Sequence, residues 1–178
     1  LLVLVCLFAM AVIVPMLARV RSVPNRITCG TRLAGLGKAM LLYSCDYEDH
    51  LPRAGARDSS WAARTPNWLG KDRREAFGIS PEGTGGQASV SASLYLLVKY
   101  TEITPKQFLC VDRKGRIEKG ASEFRPAAYG VSDGQLVYLW DFGPDPARHC
   151  SYAYQMVYSP HELIASAGSV QSRFIIRS

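Results

Sequence analysis

Residues 29–47 read CGTRLAGLGKAMLLYSCDY, and their larger apolar side chains recur at helical spacing. Steps of four and three residues alternate along one stripe, whose members are Cys29, Leu33, Leu36, Met40, Tyr43 and Tyr47. This spacing predicts an α-helix that carries all of these side chains on one face. We expect the face to pack either on a sheet of its own domain or against another subunit, and one use does not exclude the other.

Prolines and glycines modify this helix. Pro24 has no backbone N–H, so we expect a kink or a short break within residues 22–25. The helical pattern ends downstream at residues 50–52, where Pro52 stops it. Glycines inside the pattern weaken a helix by roughly 1 kcal/mol each relative to alanine. Because small residues let helices approach closely, we expect packing to offset this cost at Gly30, Gly35 and Gly37.

An uncharged run of residues 1–18 precedes the helix, and Arg19 and Arg21 close it. As a helix this run rises about 27 Å, just short of the roughly 30 Å hydrocarbon core of a bilayer. A signal-peptide core is shorter, about 7 to 15 residues, and precedes a small-residue cleavage site, whereas arginines follow here. The run therefore predicts a membrane span in one state and the core of a helical filament in another. Since the chain starts at Leu1 without a Met or a basic leader, we expect residues to be missing upstream.

The charges are unevenly placed on a chain whose net charge is +6. Residues 19–38 contain basic side chains and no acidic one, whereas Asp46, Glu48 and Asp49 crowd the end of the predicted helix. A basic segment near a bilayer attracts anionic lipid. Neither a base-reading module nor an interleaved pattern of aromatic and basic residues occurs, so we expect no nucleic-acid partner.

The five cysteines divide by position. Cys6 lies in the apolar run, where we expect an inert packing residue. Cys29 and Cys45 stand about 24 Å apart along the predicted helix, so they cannot pair with each other there. Cys110 and Cys150 are the best disulfide candidates, in keeping with an exported domain. The sequence leaves the actual pairing open.

Residues 53–178 are expected to form a globular domain that begins with a long loop, residues 53–93, packed through its aromatic side chains. Residues 92–100 predict a short helix with Leu94, Leu97 and either Val98 or Tyr95 facing inward. Aromatic and β-branched residues predict strands further on. These strands cover residues 107–111, 135–141, 151–157 and 173–177.

Catalytic and metal-binding patterns are weak throughout the chain. Residues 35–38, GLGK, lack the spacing of a phosphate-binding loop and lie within the helical stripe. His50, His149 and His161 show no zinc-ligand spacing, and no Cys-x-x-Cys-His haem motif occurs. We therefore expect a protein that is not an enzyme, with no cofactor and no metal site.

Several pieces of the sequence together resemble a known family. Over residues 1–52 they are the apolar run with its Pro15, then LARVR at 17–21, CGT at 29–31, LAGLGKAM at 33–40, DY at 46–47 and LP at 51–52. Later pieces are LYLLVKY at 94–100, TPKQFLC at 104–110 and SYAYQ at 151–155. These residues resemble type IV pilin-like and type II secretion pseudopilin-like proteins, most closely the prepilin-like proteins of planctomycete-type bacteria.

The resemblance implies an α+β fold, in which a long hydrophobic N-terminal helix, kinked near Pro15 or Pro24, packs on a C-terminal antiparallel β-sheet head. Residues 1–52 would form the helix, with 1–18 as its apolar membrane or filament-core part and 19–52 as its amphipathic part. Residues 53–178 would form the head. The implied filament-core residues are Leu1, Leu4, Phe8, Ala11, Val14, Pro15 and Leu17.

The resemblance also implies how the subunit is processed and assembled. Such subunits lose a leader to a prepilin peptidase, are often N-methylated, wait anchored in the inner membrane, and are extracted by assembly machinery into a cell-surface filament of identical copies. The family proline lies about 22 residues into the mature helix, so Pro15 implies that roughly seven residues are missing before Leu1. The chain also lacks the C-terminal His-Asn pair and Asp-Gly-His motif of many of these relatives.

The function expected from these features is a structural subunit of a type IV pilus-like filament. A head-to-tail contact that does not close generates such a filament. We expect the basic residues of one subunit to face the acidic residues of another, each exposed pair contributing about 0–1 kcal/mol while favouring one stagger. The candidates are Arg19, Arg21 and Arg26 against Asp46, Glu48 and Asp49. The alternatives are a single-span membrane-anchored periplasmic binding protein and a minor pseudopilin of a secretion system.

Overall fold

The computed structural model describes residues 10–11, 22–110, 117 and 120–154, without the side chains of 22–26 and 133. Among the described residues the α-helices are α1, Ser22–Asp46, α2, Arg73–Phe77, and α3, Val90–Thr101. The strands are β1, Ser60–Trp61, and β2, Gln87–Ala88. Short 3₁₀ helices cover Pro105–Phe108, Pro126–Tyr129, Asp133–Tyr138 and Pro146–Arg148.

Helix α1 corrects two expectations about its ends. It runs through Pro24 without a break, because Pro24 lies in the first turn of the described helix, where the N–H that it lacks has no intrahelical acceptor. It ends at Asp46 and does not reach residues 50–52. Glu48 and Asp49 have φ angles of 53° and 60°, so the chain turns left-handed there and cannot continue the helix.

Helix α3 confirms the helix predicted for residues 92–100 and extends it slightly at both ends. Ser89 caps its start, since its hydroxyl accepts a hydrogen bond of 2.9 Å from the backbone N–H of Ala92. Leu94 and Leu97 are buried as the pattern predicted, and so are both Tyr95 and Val98, of which only one was expected to face inward; Leu96 is buried as well.

The core joins α1 and α3 through aromatic side chains from the C-terminal half. Phe142 is fully buried, with its ring centroid 4.9 Å from that of Tyr95 and 5.0 Å from that of Phe108. Both ring pairs are edge-on, the arrangement that aromatic quadrupoles favour. Phe124 and Trp140 complete this aromatic cluster. Of the residues expected in strands, Phe108 and Trp140 are buried in this core, whereas Val137 and Tyr138 are exposed.

The predicted antiparallel sheet is wrong. Within the described residues the sheet has two short strands, which run parallel with Ser60 opposite Gln87 and Trp61 opposite Ala88. Both strands lie in the segment that we expected to be a loop, residues 53–93. The architecture is thus not a long apolar helix on an antiparallel sheet, but a mainly helical domain with many irregular connections.

The strands predicted in the C-terminal half are also wrong wherever they are described. Pro105 begins a 3₁₀ helix within the segment expected to lead into strand 107–111, because proline lacks the N–H that a sheet needs. A capping box between Ser132 and Gln135 starts a second 3₁₀ helix where strand 135–141 was expected. Residues 151–154 are irregular, and strand 173–177 lies outside the described residues. Strand propensity mainly reflects how well a side chain fits a half-buried surface. Aromatic residues that pack in a core are buried without the hydrogen-bonded ladder of a sheet.

The predicted transmembrane helix is not found. Searching the described ranges reveals no helix that combines the length and the apolar character needed to cross a bilayer. This finding contradicts the transmembrane prediction and the cell-surface, inner-membrane-anchored localisation built on it. Of the predicted filament-core residues, Ala11 is helical and exposed. The others lie outside the described residues: Leu1, Leu4, Phe8, Val14, Pro15 and Leu17.

Candidate self-association surface

One face of α1 packs on its own domain. Leu36, Met40 and Tyr43 are buried, and the helix contacts both α3 and the 3₁₀ helix Pro105–Phe108. Of the two uses expected for this stripe, the structure shows the intramolecular one. The neighbouring elements are helices, however, where a sheet was expected.

The opposite face of α1 carries a second stripe, which we call the outer stripe: Ile27, Gly30, Ala34, Gly37 and Leu41. Its members also follow alternating steps of three and four residues, so they line one side of the helix. Ile27 is 63% exposed and Leu41 57% exposed. The sequence contained this signal. It is less conspicuous than the first stripe, from Cys29 to Tyr47, because two of the outer positions are glycine and have no side chain.

The glycines of α1 divide between the two faces. A Cβ atom built on Gly35 would stand 3.1 Å from Oε1 of Gln107, so this glycine permits contact within the subunit. A Cβ built on Gly30 or Gly37 meets no described atom within 4 Å. Glycine weakens a helix by about 1 kcal/mol relative to alanine, and among the described residues no contact at Gly30 or Gly37 offsets that cost. Small residues at spacing seven between apolar ones are typical of helices that approach another helix closely.

The charges at the ends of α1 oppose the helix dipole. The first turn contains no acidic residue and the last turn no basic one, whereas Asp46 is the last helical residue. Carboxylates stabilise the positive N-terminal end of a helix, not its negative C-terminal end. Asp46, Glu48 and Asp49 are all exposed. In the part of the chain that the structure describes, none of the three forms an ion pair.

The predicted basic and acidic partners stay apart within one subunit. Arg26 lies about 30 Å from Asp46 along the helix, given the rise of about 1.5 Å per residue. Arg19 and Arg21 lie outside the described residues. A contact between the two groups would therefore need two subunits shifted along the helix axis.

A groove of about 580 Å³ opens beside the acidic end of α1. Its lining includes the acidic Asp46 and Glu48 and three basic residues, Arg53, Arg57 and Arg73. The Nε of Arg73 donates a hydrogen bond of 3.0 Å to the carbonyl of Gly55, which holds that side chain in place. The groove thus presents both signs of charge to a partner.

Three tyrosines meet at the same end of the helix. The rings of Tyr43 and Tyr47 are stacked with centroids 4.2 Å apart, and Tyr100 contacts both at an angle. Burial, followed by the charge of the neighbouring Tyr47, raises the pKa of Tyr43 to about 12. Arg73 opposes this shift. The phenol therefore stays neutral and supports the packing of α1 on α3.

The C-terminal part contains a buried carboxylate that has structural partners. Asp141 accepts hydrogen bonds from the hydroxyls of Thr65 and Ser89 and, at 2.8 Å, from the backbone N–H of Phe142. Burial raises its pKa, although these hydrogen bonds lower it in part. Because its carboxylate oxygens accept the hydrogen bonds that hold residues 53–93 against the aromatic cluster, Asp141 stabilises the fold. Elsewhere in the described residues, no group of His, Cys, Asp and Glu side chains is arranged to hold a metal ion.

No disulfide joins the predicted pair Cys110 and Cys150. Each has a half-buried thiol. The Sγ of Cys150 donates a hydrogen bond of 3.4 Å to the carbonyl of Tyr152. Cys45 is exposed near the far end of α1.

Comparison with known proteins returned no match. No protein-family model, no curated protein and no solved structure is similar enough to this chain to assign it to a family.

Proposed function

We propose that this protein is a structural subunit of a type IV pilus-like helical filament, and that copies assemble through the outer stripe of α1. The observation that carries the proposal is that α1 has two apolar faces, of which the described part of its own domain covers one. The outer face exposes Ile27 and Leu41, with glycines between them that leave room for a neighbour.

The occupant that we propose for the outer stripe is α1 of a second copy. Exposed apolar side chains alternating with small ones allow two helices to interdigitate at short distance. The reversed charges at the ends of α1 favour this occupant, because a shifted copy brings its Arg26 toward Asp46 and Asp49 of the first. A shift that repeats without closing builds a filament.

The proposal is tested with purified full-length chain by sedimentation and negative-stain electron microscopy. Leu41→Lys is expected to reduce the sedimenting fraction about tenfold or more, because it places a charge in the contact between helices. Leu69→Lys is the matched control, since Leu69 is 49% exposed and lies outside α1. The proposal fails if the unsubstituted chain forms no filament, or if both variants assemble equally well.

The charge contact has its own test. The double variant Asp46→Lys/Asp49→Lys is expected to lower filament yield and to remove its sensitivity to salt, because exposed ion pairs are screened. Glu82→Lys/Glu102→Lys changes the net charge equally at two exposed positions that are not part of α1. If the first variant keeps the yield and salt sensitivity of the unsubstituted chain, the charges do not set the stagger.

A second candidate function is binding of an acidic partner in the groove. The observation in its favour is that Arg53, Arg57 and Arg73 all line the groove. Arg57→Ala is expected to weaken binding of a polyglutamate peptide about tenfold while leaving assembly unchanged. If the groove binds this peptide in a chain that does not form filaments, the result would favour an interaction module. If the chain is found only at trace stoichiometry within filaments of another protein, the result would favour a minor subunit.

A further inference from the structure

The groove beside the acidic end of α1 is lined by a loop that two guanidinium groups hold in place. Arg73 donates hydrogen bonds to the carbonyl of Gly55 from both Nε and Nη2, the first at 3.0 Å. Its Nη2 also donates one of 3.3 Å to the carbonyl of Arg53. Arg53 in turn donates one of 2.7 Å from its Nη2 to the carbonyl of Arg57. The loop is therefore formed before a ligand arrives, which lowers the entropic cost of binding.

Gly55 and Ser59 fix the same loop from its other neighbours. Gly55 has a φ angle of 77°, in the left-handed region, and a Cβ built on it would stand 2.6 Å from the Oγ of Ser59. The hydroxyl of Ser59 accepts a hydrogen bond of 2.6 Å from the backbone N–H of Ala56 and donates one of 2.7 Å to the carbonyl of Gly85. The shape of the groove at this loop consequently belongs to the folded subunit.

These contacts leave guanidinium donors for a ligand. Arg73 is exposed, and in the part of the chain that the structure describes its Nη1 donates no hydrogen bond. Arg57 is exposed as well, and across the same described residues its side chain forms no ion pair. Both arginines line the groove. Guanidinium groups bind carboxylates through paired, charge-assisted hydrogen bonds, so the groove provides for a carboxylate.

The acidic residues of the groove call for a positive group on the same ligand. Asp46 and Glu48 are exposed, and neither forms an ion pair within the described ranges. Glu48 has a φ angle of 53°, a conformation that residues other than glycine adopt rarely and that concentrates at ligand-binding sites. A ligand with negative charges alone would be repelled by these two carboxylates, whereas an ammonium group would pair with them.

The groove also offers an aromatic surface. Tyr43 and Tyr47 both line it, with their rings stacked at 4.2 Å between centroids. Tyr47 is 38% exposed, so part of its ring faces solvent, where it can pack against a planar side chain of a ligand. The volume of about 580 Å³ lies within the range of roughly 300–1,000 Å³ that is typical of sites for small organic ligands.

We propose that this groove binds a zwitterion with an aromatic side chain. Its carboxylate lies at Arg57 and Arg73, its ammonium group at Asp46 and Glu48, and its ring against Tyr47. A free aromatic amino acid and a short peptide with an aromatic residue share this chemistry. The inference rests on the second candidate function, binding in the groove, and deepens it by naming the charges of the ligand. It does not depend on filament assembly.

The test is isothermal titration calorimetry of the full chain at low salt with the dipeptide alanyl-phenylalanine. The N-acetylated dipeptide lacks the ammonium group, and the dipeptide amide lacks the carboxylate. Each is expected to bind about tenfold or more weakly than the unmodified dipeptide. Free phenylalanine distinguishes the two sources: equal affinity identifies an amino-acid ligand, and weaker binding identifies a peptide. Equal affinity for the dipeptide and its N-acetylated form would overturn the proposal.

Two variants with matched controls locate the charges. Glu48→Gln should weaken binding of the dipeptide but not of its N-acetylated form, whereas Glu102→Gln should change neither. Glu102 is exposed and also left-handed, with a φ angle of 56°, and it does not line the groove. Arg57→Gln should weaken binding of the dipeptide but not of its amide. Arg74→Gln is the control for that variant, since Arg74 is exposed and is not part of the lining.

The outcomes separate this proposal from the function on which it rests. If polyglutamate binds and the dipeptide does not, the zwitterion proposal fails while binding of an acidic partner stands. If neither binds, both fail, and the sedimentation assay of filaments is unaffected. Because the three forms of the dipeptide are compared on the unsubstituted chain, a variant that fails to fold does not weaken the test.

Discussion

The two faces of α1 have similar spacing but opposite environments. The inner face places Leu36 and Met40 at 1% exposure against α3, whereas the outer face leaves Ile27 and Leu41 more than half exposed. One helix therefore contains one stripe that its own domain satisfies and one that it does not. Periodicity alone predicts a helix face; only the neighbours decide whether that face stabilises the subunit or remains available to a partner.

The largest expected difference between the faces is in core packing. Leu36→Ala should lower the free energy of unfolding by about 3 kcal/mol, because it opens a cavity against α3. Leu41→Ala should change it by about 0.5 kcal/mol or less, since that side chain is mostly in solvent. Urea unfolding at pH 7 measures both values. Equal losses from the two variants would show that the faces do not differ as described.

The next difference concerns the pH dependence of the inner face. The folded pKa of Tyr43 is raised from its ordinary value of 10.0 to about 12 by burial. Between these values the folded state keeps a proton that the unfolded state loses, so stability is present below pH 10 and falls as the pH rises to 12. Tyr43→Phe should flatten this fall, as measured by urea unfolding at successive pH values. An unchanged slope would exclude Tyr43 as a source.

The glycines sharpen the comparison on a smaller energy scale. Gly37→Ala should raise the free energy of unfolding by up to about 1 kcal/mol, because alanine favours the helix and its methyl group meets no described atom. Gly35→Ala should bring no such gain, since its methyl group would press on Gln107. Filament yield should fall with Gly37→Ala despite the more stable subunit. A rise in yield that follows the stability would contradict a close helix contact at the outer stripe.

The smallest expected effect is at the acidic end of α1. Asp46→Asn should stabilise the isolated subunit by about 0.3–1 kcal/mol at low ionic strength, because it removes a negative charge from the negative end of the helix dipole. Thermal melting in low and high salt should show the gain only in low salt. A loss of stability would mean that Asp46 has a favourable partner within the subunit.

The sequence predicted helices better than strands, for physical reasons visible at particular residues. Residues 92–100 repeat apolar side chains at helical spacing, and α3 covers them. Residues 135–141 are equally apolar, yet a capping box at Ser132 and Gln135 begins a 3₁₀ helix there. A strand forms only when it pairs with another strand through backbone hydrogen bonds. A local sequence pattern does not show whether such a partner strand exists. Phe108 and Trp140, which are both buried, were thus assigned to strands that do not form.

The candidate surface was predictable in part. Gly30, Gly35 and Gly37 indicated close packing, but the sequence could not separate the glycine that faces Gln107 from the two that face outward. Similarly, the position of Cys110 and Cys150 in the part expected to be rich in strands suggested a disulfide, whereas the structure shows no bond between them and brings α1 to this part through the contact of Arg32 with Leu109. Both distinctions depend on which distant segment folds against α1.

By itself the sequence determined that α1 and α3 are helices and which charges crowd the end of α1. These properties follow from local spacing, backbone preferences and short-range hydrogen bonds. The tertiary structure alone decided which face of α1 is buried and that the aromatic residues fill a core without building a broad sheet. Those outcomes depend on contacts between residues far apart in the chain, and such contacts leave no periodic trace in the sequence.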